Sequence, residues 1–323
     1  MKLRGIDFGN ILGGSGVQGF FGEGYWFHKL WRPFGLNFEG MTFVSKTATV
    51  IPREGNMPLN RDWTPKSIFP ACIKVRPLEG VMLNSIGLSN PGLKALLDSR
   101  KWQKRKSPFL ISITSIANNR DERMREFTVM AGMIETRRSS LVRENGFSAP
   151  IGLQINLSCP NSGENAKVLM DEWARILEAI NELIPGAPLM PKFSIASAPI
   201  KAILELNSHP ACDAICVSNS LPFGWEGIDW KKVWGTNTSP FAKLGGGGLS
   251  GKALRPLVCE WIARVRDAGF TKPINGGGGI LSSKDVDRYR DAGASSVFIG
   301  SLAVLRPWRA RAIIRQANRL RWE

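Results

Sequence analysis

Residues 152–163 read GLQINLSCPNSG, a buried-strand pattern that breaks off in a polar tip holding Asn156, Ser158, Cys159 and Asn161. A nearly continuous apolar run is what a strand covered on both faces requires. Residues 166–183 follow, with Val168, Leu169, Trp173, Ile176, Leu177, Ile180 and Leu183 at the spacing of one helix face. Strand then helix is the repeating half of a parallel α/β fold. Pro160, Asn161 and Gly163 also suit an ordinary strand-ending turn, so the meaning of the tip depends on the rest of the chain.

The alternation recurs along the sequence. Further strand candidates are ILGGSG (11–16), MTFVSKTAT (41–49), FLISITSI (109–116), LMPKFSIA (189–196), AICVSNS (214–220), PINGGGG (273–279) and SVFIGSLAV (296–304). Helical patterns follow at 24–34, 120–145, 200–206, 251–268, 282–292 and 308–320. Two irregular excursions, 51–90 and 221–247, read as insertions after strands 2 and 6. Eight units of this kind close a barrel, so the expected fold is α/β, a (β/α)8 TIM barrel over residues 1–323 as a single domain. An open doubly wound sheet is the alternative, and it offers no reason for lysines at two strand tips. In the barrel the active site lies at the carboxyl ends of the strands. Those ends carry Ser15, Gly16, Lys46, Thr47, Asn156, Cys159, Lys192, Asn219, Ser220, Gly276 to Gly279, Gly300 and Ser301.

Composition narrows the chemistry. The chain has 323 residues, 43% hydrophobic and 22% charged, and no apolar run near the ~20 residues of a membrane span. Its first residues, MKLRGIDFGN, hold no apolar signal region, and the expected location is cytoplasmic. Five cysteines form no CxxC pair and only two histidines are present, so no metal site is expected. A net charge of +16 is spread along the chain without a zinc-finger or aromatic RNA-binding signature, and nucleic acid is not an expected partner.

Glycines near the last two strands, Gly276 to Gly279 and Gly300 with Ser301, lie where such barrels commonly hold phosphate. Without Cβ, their backbone N–H groups can approach phosphate oxygens closely. The run Gly245 to Gly248, continuing to Gly251, offers a third set of donors. Lys192, inside the apolar PKFSI, is positioned to stabilise negative charge developing on a flavin ring, although a lysine snorkelling at a barrel rim has the same pattern. Lys46 suits a substrate carboxylate. Cys159, on a polar loop, suits a general base once its pKa is lowered, whereas most buried cysteines are inert.

Ten motifs in order resemble those of the dihydroorotate dehydrogenase family across nearly the whole chain. They are GSG (14–16), SKTAT (45–49), REGN (53–56), NSIGLSNPG (84–92), INLSCPN (155–161), PKFS (191–194), SNS (218–220), GGLSG (247–251), GGGI (277–280) and IGS (299–301). The resemblance implies an FMN enzyme of pyrimidine biosynthesis that oxidises dihydroorotate to orotate. It implies that Cys159 takes the C5 proton while hydride leaves C6 for flavin N5. Asn84, Asn156, Asn161, Asn219 and Ser220 would bond the pyrimidine ring, with Ile86, Gly87 and Leu88 beside it, and Lys46 would meet its carboxylate. For FMN it implies Gly14, Ser15, Lys46, Thr47, Asn156, Lys192, Gly248 and Gly251, with Gly278, Gly279, Gly300 and Ser301 on the phosphate.

A cysteine base resembles the soluble class 1 enzymes, and with the first barrel strand expected almost at the start of the sequence, no membrane-binding extension is expected. GGLSGKALRP is shared with class 2, and NSGENAK and the extra glycine of NGGGGI match neither class closely. The electron acceptor therefore stays open among fumarate, NAD through a partner subunit, and quinone, as does a homodimer. Seven aromatics in 20–34 and the basic helix 306–322 read first as core packing. Peripheral contact with an anionic membrane is the less favoured reading. Another dihydropyrimidine as substrate, or a barrel that binds a phosphorylated ligand or nucleic acid without redox chemistry, are the competing functions.

Overall fold

A computed structural model describes residues 1–142, 145–157 and 166–322, with only the backbone for 166–170. Seven parallel strands run side by side in the order Ile11–Gly13, Ser296–Ile299, Ile274–Gly277, Ile215–Val217, Leu189–Phe193, Ile151–Asn156 and Phe109–Ile113. The eighth place is taken by 42–48, which bridges both edges: Thr42 with Leu12, Val44 with Leu110 and Ala48 with Ile113, all parallel. Backbone bonds on each side, Thr42 to Ile11 at 2.9 Å and Ser45 to Leu110 at 3.0 Å, close the circle. The fold is the (β/α)8 barrel.

The strand candidate 41–49 forms isolated bridges in place of a continuous ladder. Its polar side chains take over ladder positions. Ser45 Oγ accepts the Ser112 N–H at 2.9 Å, where a carbonyl would serve in a regular ladder, and Ser15 Oγ donates to the Ser45 carbonyl at 3.0 Å. The consequence is a strand that seals the barrel while leaving Lys46 and Thr47 directed by side-chain bonds.

Around the barrel lie the expected helices, among them Arg120–Arg138, Ala166–Leu183, Leu254–Asp267, Ser283–Asp291 and Ala310–Arg319. Trp173, Ile176, Leu177 and Ile180 are buried against the sheet, and the Trp173 and Phe193 rings sit 4.5 Å apart. Inside the barrel a separate cluster of Phe8, Leu12, Val44, Leu110, Met190, Ala214, Cys216 and Phe298 fills the lumen, with Leu3 of the hairpin Lys2–Leu3 and Ile6–Asp7 among it. Each fully buried Leu, Val or Phe adds about 1.5–3 kcal/mol.

The two excursions are not irregular throughout. Ile73–Arg76 and Val81–Asn84 from the first join Leu221–Pro222 from the second and Gly248–Gly251 just past its end in a four-stranded antiparallel sheet. In its register Asn84 pairs with both Gly248 and Ile73. Residues far apart in the chain are thereby brought to one place.

The glycine segment after Ile274–Gly277 is tied down by Asp285. This buried carboxylate accepts from Leu281 N at 3.0 Å and Ser282 N at 2.9 Å, and meets Arg255 Nη1 at 2.5 Å. Removing one partner of a buried ion pair leaves the other charge uncompensated. Asp285→Ala is expected to lower stability by about 3–5 kcal/mol, read as a lower urea midpoint with an unchanged slope.

Candidate active site

A cavity of ≈ 420 Å³ opens at the carboxyl ends of the barrel strands. Gly14, Ser15, Lys46 and Thr47 border it from the first two strands, and Lys192, Asn219 and Ser220 from the middle of the sheet. Gly278, Gly279, Gly300 and Ser301 come from the last two, Asn84, Ile86, Gly87 and Leu88 from the first excursion, and Gly251 from the strand that follows the second. These residues are nearly all of the expected site.

Among the described residues, Asn156, Gly248, Gly276 and Gly277 were expected at the cavity and do not border it. Asn156 ends its strand beside Lys192 in register, and its Oδ1 accepts from Asn219 Nδ2 at 2.6 Å. It holds Asn219 from the side. Gly248 stands behind Ser220, whose Oγ would lie 2.3 Å from any Cβ placed there. Gly245 to Gly247 do not line the cavity either, and Ser250 and Gly251 are what that segment contributes. Cys159 and Asn161 lie outside the described residues.

Lys46 is buried, and its Nζ donates to the Ser89 carbonyl at 2.5 Å while standing 4.9 Å over the Phe20 ring. Burial pushes its ammonium down to about 8, against smaller opposing contributions from Cys72 and Glu23. Lys192 is buried too, with Nζ 5.1 Å over the Phe298 ring, and burial lowers its pKa while Cys216 opposes that shift. It makes no hydrogen bond to a protein group among the described residues. Cys216 is no proton carrier, because burial pushes its thiol up to about 12. A cation left in this state is completed by an acceptor that enters the cavity.

The opposite wall is a bed of donors. Gly279 has a φ of +74°, and a Cβ there would meet the Gly251 carbonyl oxygen at 2.4 Å, so this approach of two backbones needs glycine. The backbone N–H groups of Gly279, Gly300 and Ser301 find no protein acceptor among the described residues. Free N–H groups turned to one space suit an anion. On the floor, Ser15 Oγ meets Thr47 Oγ1 at 2.7 Å, which meets Ser112 Oγ at 2.9 Å, so the barrel interior continues the polar lining inward.

Tyr25 borders the cavity without having been expected there, its hydroxyl donating to the Gly16 carbonyl at 2.6 Å. Phe298 and Leu254 are further apolar walls. In the sequence Tyr25 was one aromatic among seven, with nothing to separate it from its neighbours. Of those seven, Phe20 is buried as expected, but Trp26 and Phe34 are 42% and 68% exposed, as Trp308 is at 42%. Core packing therefore accounts for only part of that stretch. No helix of the described residues is long and apolar enough to cross a membrane.

A family profile described as Dihydroorotate dehydrogenase matches residues 1–320. A protein of Geobacillus kaustophilus named Dihydroorotate dehydrogenase B (NAD(+)), catalytic subunit, is 30% identical over 97% of this chain and 88% of its own length. Proteins with the same name from Desulforudis audaxviator and Bacillus mycoides are 27% and 28% identical, over 97% and 98% of this chain and 89% of theirs.

The buried Lys46 charge has a measurable cost. Because burial holds the folded pKa below the unfolded one, the penalty is full below about pH 8 and fades as pH rises toward 10.5. Lys46→Met is therefore expected to stabilise the ligand-free protein by on the order of 3 kcal/mol near neutral pH. The gain should vanish at the alkaline end of a pH series of urea titrations; a gain constant with pH would point to packing instead.

Proposed function

The chain belongs to the dihydroorotate dehydrogenase family, and from that premise we propose that it oxidises dihydroorotate to orotate in pyrimidine biosynthesis with FMN as its cofactor. The observation that carries this reading is the union, in one cavity, of two buried lysines with asparagines on one side and, on the other, glycine N–H groups without a protein acceptor among the described residues. We further propose that residues 1–323 act as one FMN-binding domain.

The residues present fit the cofactor. Gly278, Gly279, Gly300 and Ser301 would hold the phosphate, where the gap between Gly279 and the Gly251 carbonyl leaves no room for a side chain. Gly14, Ser15 and Thr47 would border the ring. When bound, FMN supplies the two-electron acceptor that the oxidation requires. Lys192, buried and without a protein acceptor among the described residues, would supply positive charge where negative charge develops.

The substrate reading rests on Lys46 and the carboxamides. Lys46 would take the carboxylate, exchanging part of its bond to the Ser89 carbonyl for a charged partner. Asn84, Asn219 and Ser220 would bond the ring, since a carboxamide offers both donor and acceptor to alternating N–H and C=O groups. Asn156 acts through Asn219, whose Nδ2 it holds at 2.6 Å. Ile86, Gly87 and Leu88 form the cover. Cys159, and Asn161 beside it, would complete the site from the segment following Asn156, with the thiolate of Cys159 taking the C5 proton.

The relatives' name supports one acceptor among those left open by the sequence. We propose that electrons leave through a partner subunit to NAD+, in a cytoplasmic assembly.

Purified protein is expected to be yellow and to bleach when dihydroorotate is added without oxygen. Yellow protein that does not bleach would move the substrate elsewhere, and colourless protein that takes up no FMN would defeat the flavin reading. Cys159→Ser should retain FMN and slow its reduction by about 10²-fold or more near neutral pH, because a serine hydroxyl is a far weaker base. Stopped-flow reduction at the normal rate would remove Cys159 from the base position.

A further inference from the structure

The helix Trp26–Trp31 and the turn Arg32–Phe34 that continues it leave an apolar face open to solvent. Trp26 and Leu30 lie one turn apart on one side of the helix, and Leu30 is 60% exposed. Two other segments extend the face. Trp26 Nε1 donates to the Ile68 carbonyl at 3.0 Å and its ring lies 5.7 Å from Phe69, and these two residues are 60% and 80% exposed. Trp31 in turn sits 5.8 Å from the exposed Phe34 and 5.2 Å from the exposed Trp308. Six large apolar side chains from three parts of the chain thus share one exposed surface, and a contiguous surface of that kind marks an interaction site.

The charge around it is of one sign. Lys29 and Arg32 belong to the same helix and turn, Lys66 precedes Ile68, and Arg306 and Arg309 flank Trp308, with the Arg306 guanidinium 5.7 Å from its ring. Residues 24–35, 65–70 and 303–315 contain no Asp or Glu. The carboxylates that flank these segments are engaged: Glu23 by Phe20 N and Phe21 N, Glu39 by Asn37, Asp62 by Thr64 and Asp287 by Gln316. None of the five cations forms an ion pair among the described residues. A second copy of the chain would set like charge against like, so the face does not suit self-pairing.

We propose that this face docks on an anionic lipid surface, its apolar side chains at the boundary of headgroups and acyl chains and its cations among the headgroups. Trp and Phe beside Lys and Arg are the composition that seats a protein in that layer. Each cation near such a surface adds attraction without a fixed partner. A protein partner would instead have to order five long side chains mounted on separate segments, each against its own carboxylate. The face also adjoins the active cavity: a cavity of ≈ 250 Å³ is lined by Trp26 and Ile68 of this face together with Tyr25, Gly300 and Ser301 of the active cavity. Docking therefore holds the active cavity beside the lipid surface. The inference rests on no part of the flavin reading.

Co-sedimentation of the purified full chain with vesicles tests this. Phosphatidylcholine vesicles with and without about one third phosphatidylserine are compared at low and at high salt. The chain is expected to sediment with the anionic vesicles, to leave them at high salt, and to stay in solution with phosphatidylcholine alone. A net charge of +16 adsorbs protein to such vesicles without a dedicated face, so three double variants at exposed positions decide. Phe34→Ser with Phe69→Ser, and Lys29→Gln with Arg32→Gln, are each expected to weaken binding about tenfold or more. Arg175→Gln with Lys201→Gln removes the same charge from the helices after the fourth and fifth barrel strands, across the barrel, and should leave binding within about twofold of the parent. Unchanged binding in the Phe34 and Phe69 variant, or an equal loss in the Arg175 and Lys201 variant, would reduce the contact to net charge and overturn the proposal. Absence of sedimentation with anionic vesicles would overturn it as well and leave the face to a protein partner.

Discussion

Desolvation of the Lys192 ammonium is the constraint around which the upper half of the barrel is built. A buried cation without a bonded acceptor is costly, and proteins ordinarily avoid it by pairing or by pushing the group toward neutrality. Among the described residues its near surroundings are a phenyl face at 5.1 Å and a thiol that burial keeps protonated. Neither is an adequate counterion. Such a residue is stable in place only because the strand Leu189–Phe193 is paired on both sides, which fixes the backbone from which the lysine projects. Rigidity of the sheet thus carries a local electrostatic cost that ligand binding can relieve.

Register converts that rigidity into a site. Lys192 pairs with Asn156 on one side and Cys216 on the other, so the amide and the cation reach the rim at the same level. Asn219, two residues past its strand, is then within 2.6 Å of Asn156. A one-residue slip in a parallel pair would turn these side chains into the helical layer. The antiparallel sheet adds the remaining wall by fixing Asn84 against Gly248 above the strand ends. Loop residues thereby obtain the positional precision that strands provide.

Much of this was legible in the sequence because strand tips in a parallel barrel all face one end, so residues such as Lys46, Lys192, Asn219 and Gly300 could be gathered without knowing any distance. What escaped was long-range. Val81–Asn84 pairs with Gly248–Gly251, and no local period reveals a partner so distant in the chain. Ser45 disguised a bridge as a strand, since a hydroxyl that replaces a carbonyl in the ladder leaves the apolar pattern intact. Asn156 and Gly248 were in the right region but support the lining from behind, a distinction that depends on which way a side chain turns. Tyr25 was missed for the same reason, because aromatic spacing cannot tell a hydroxyl that caps the Gly16 carbonyl from a ring in the core.

The segment from Gly16 to Tyr25 is where these constraints meet. Lys46 N donates to the Gly19 carbonyl at 3.0 Å, and the Phe20 ring lies under the Lys46 ammonium, so the segment sets the surroundings of one active-site cation. Glu23 holds its turn by accepting two consecutive backbone N–H groups, and its charge reaches Lys46. Trp102 fastens it from outside, donating Nε1–H to the Phe20 carbonyl at 2.6 Å. Val17 and Phe20 are buried, and the turn that carries them to Tyr25 is held by these directional bonds. Because Lys46 N is bonded to the Gly19 carbonyl and its ammonium rests on Phe20, a change at Glu23 or Trp102 is transmitted to Lys46, which makes the electrostatics of the barrel rim sensitive to residues outside the cavity.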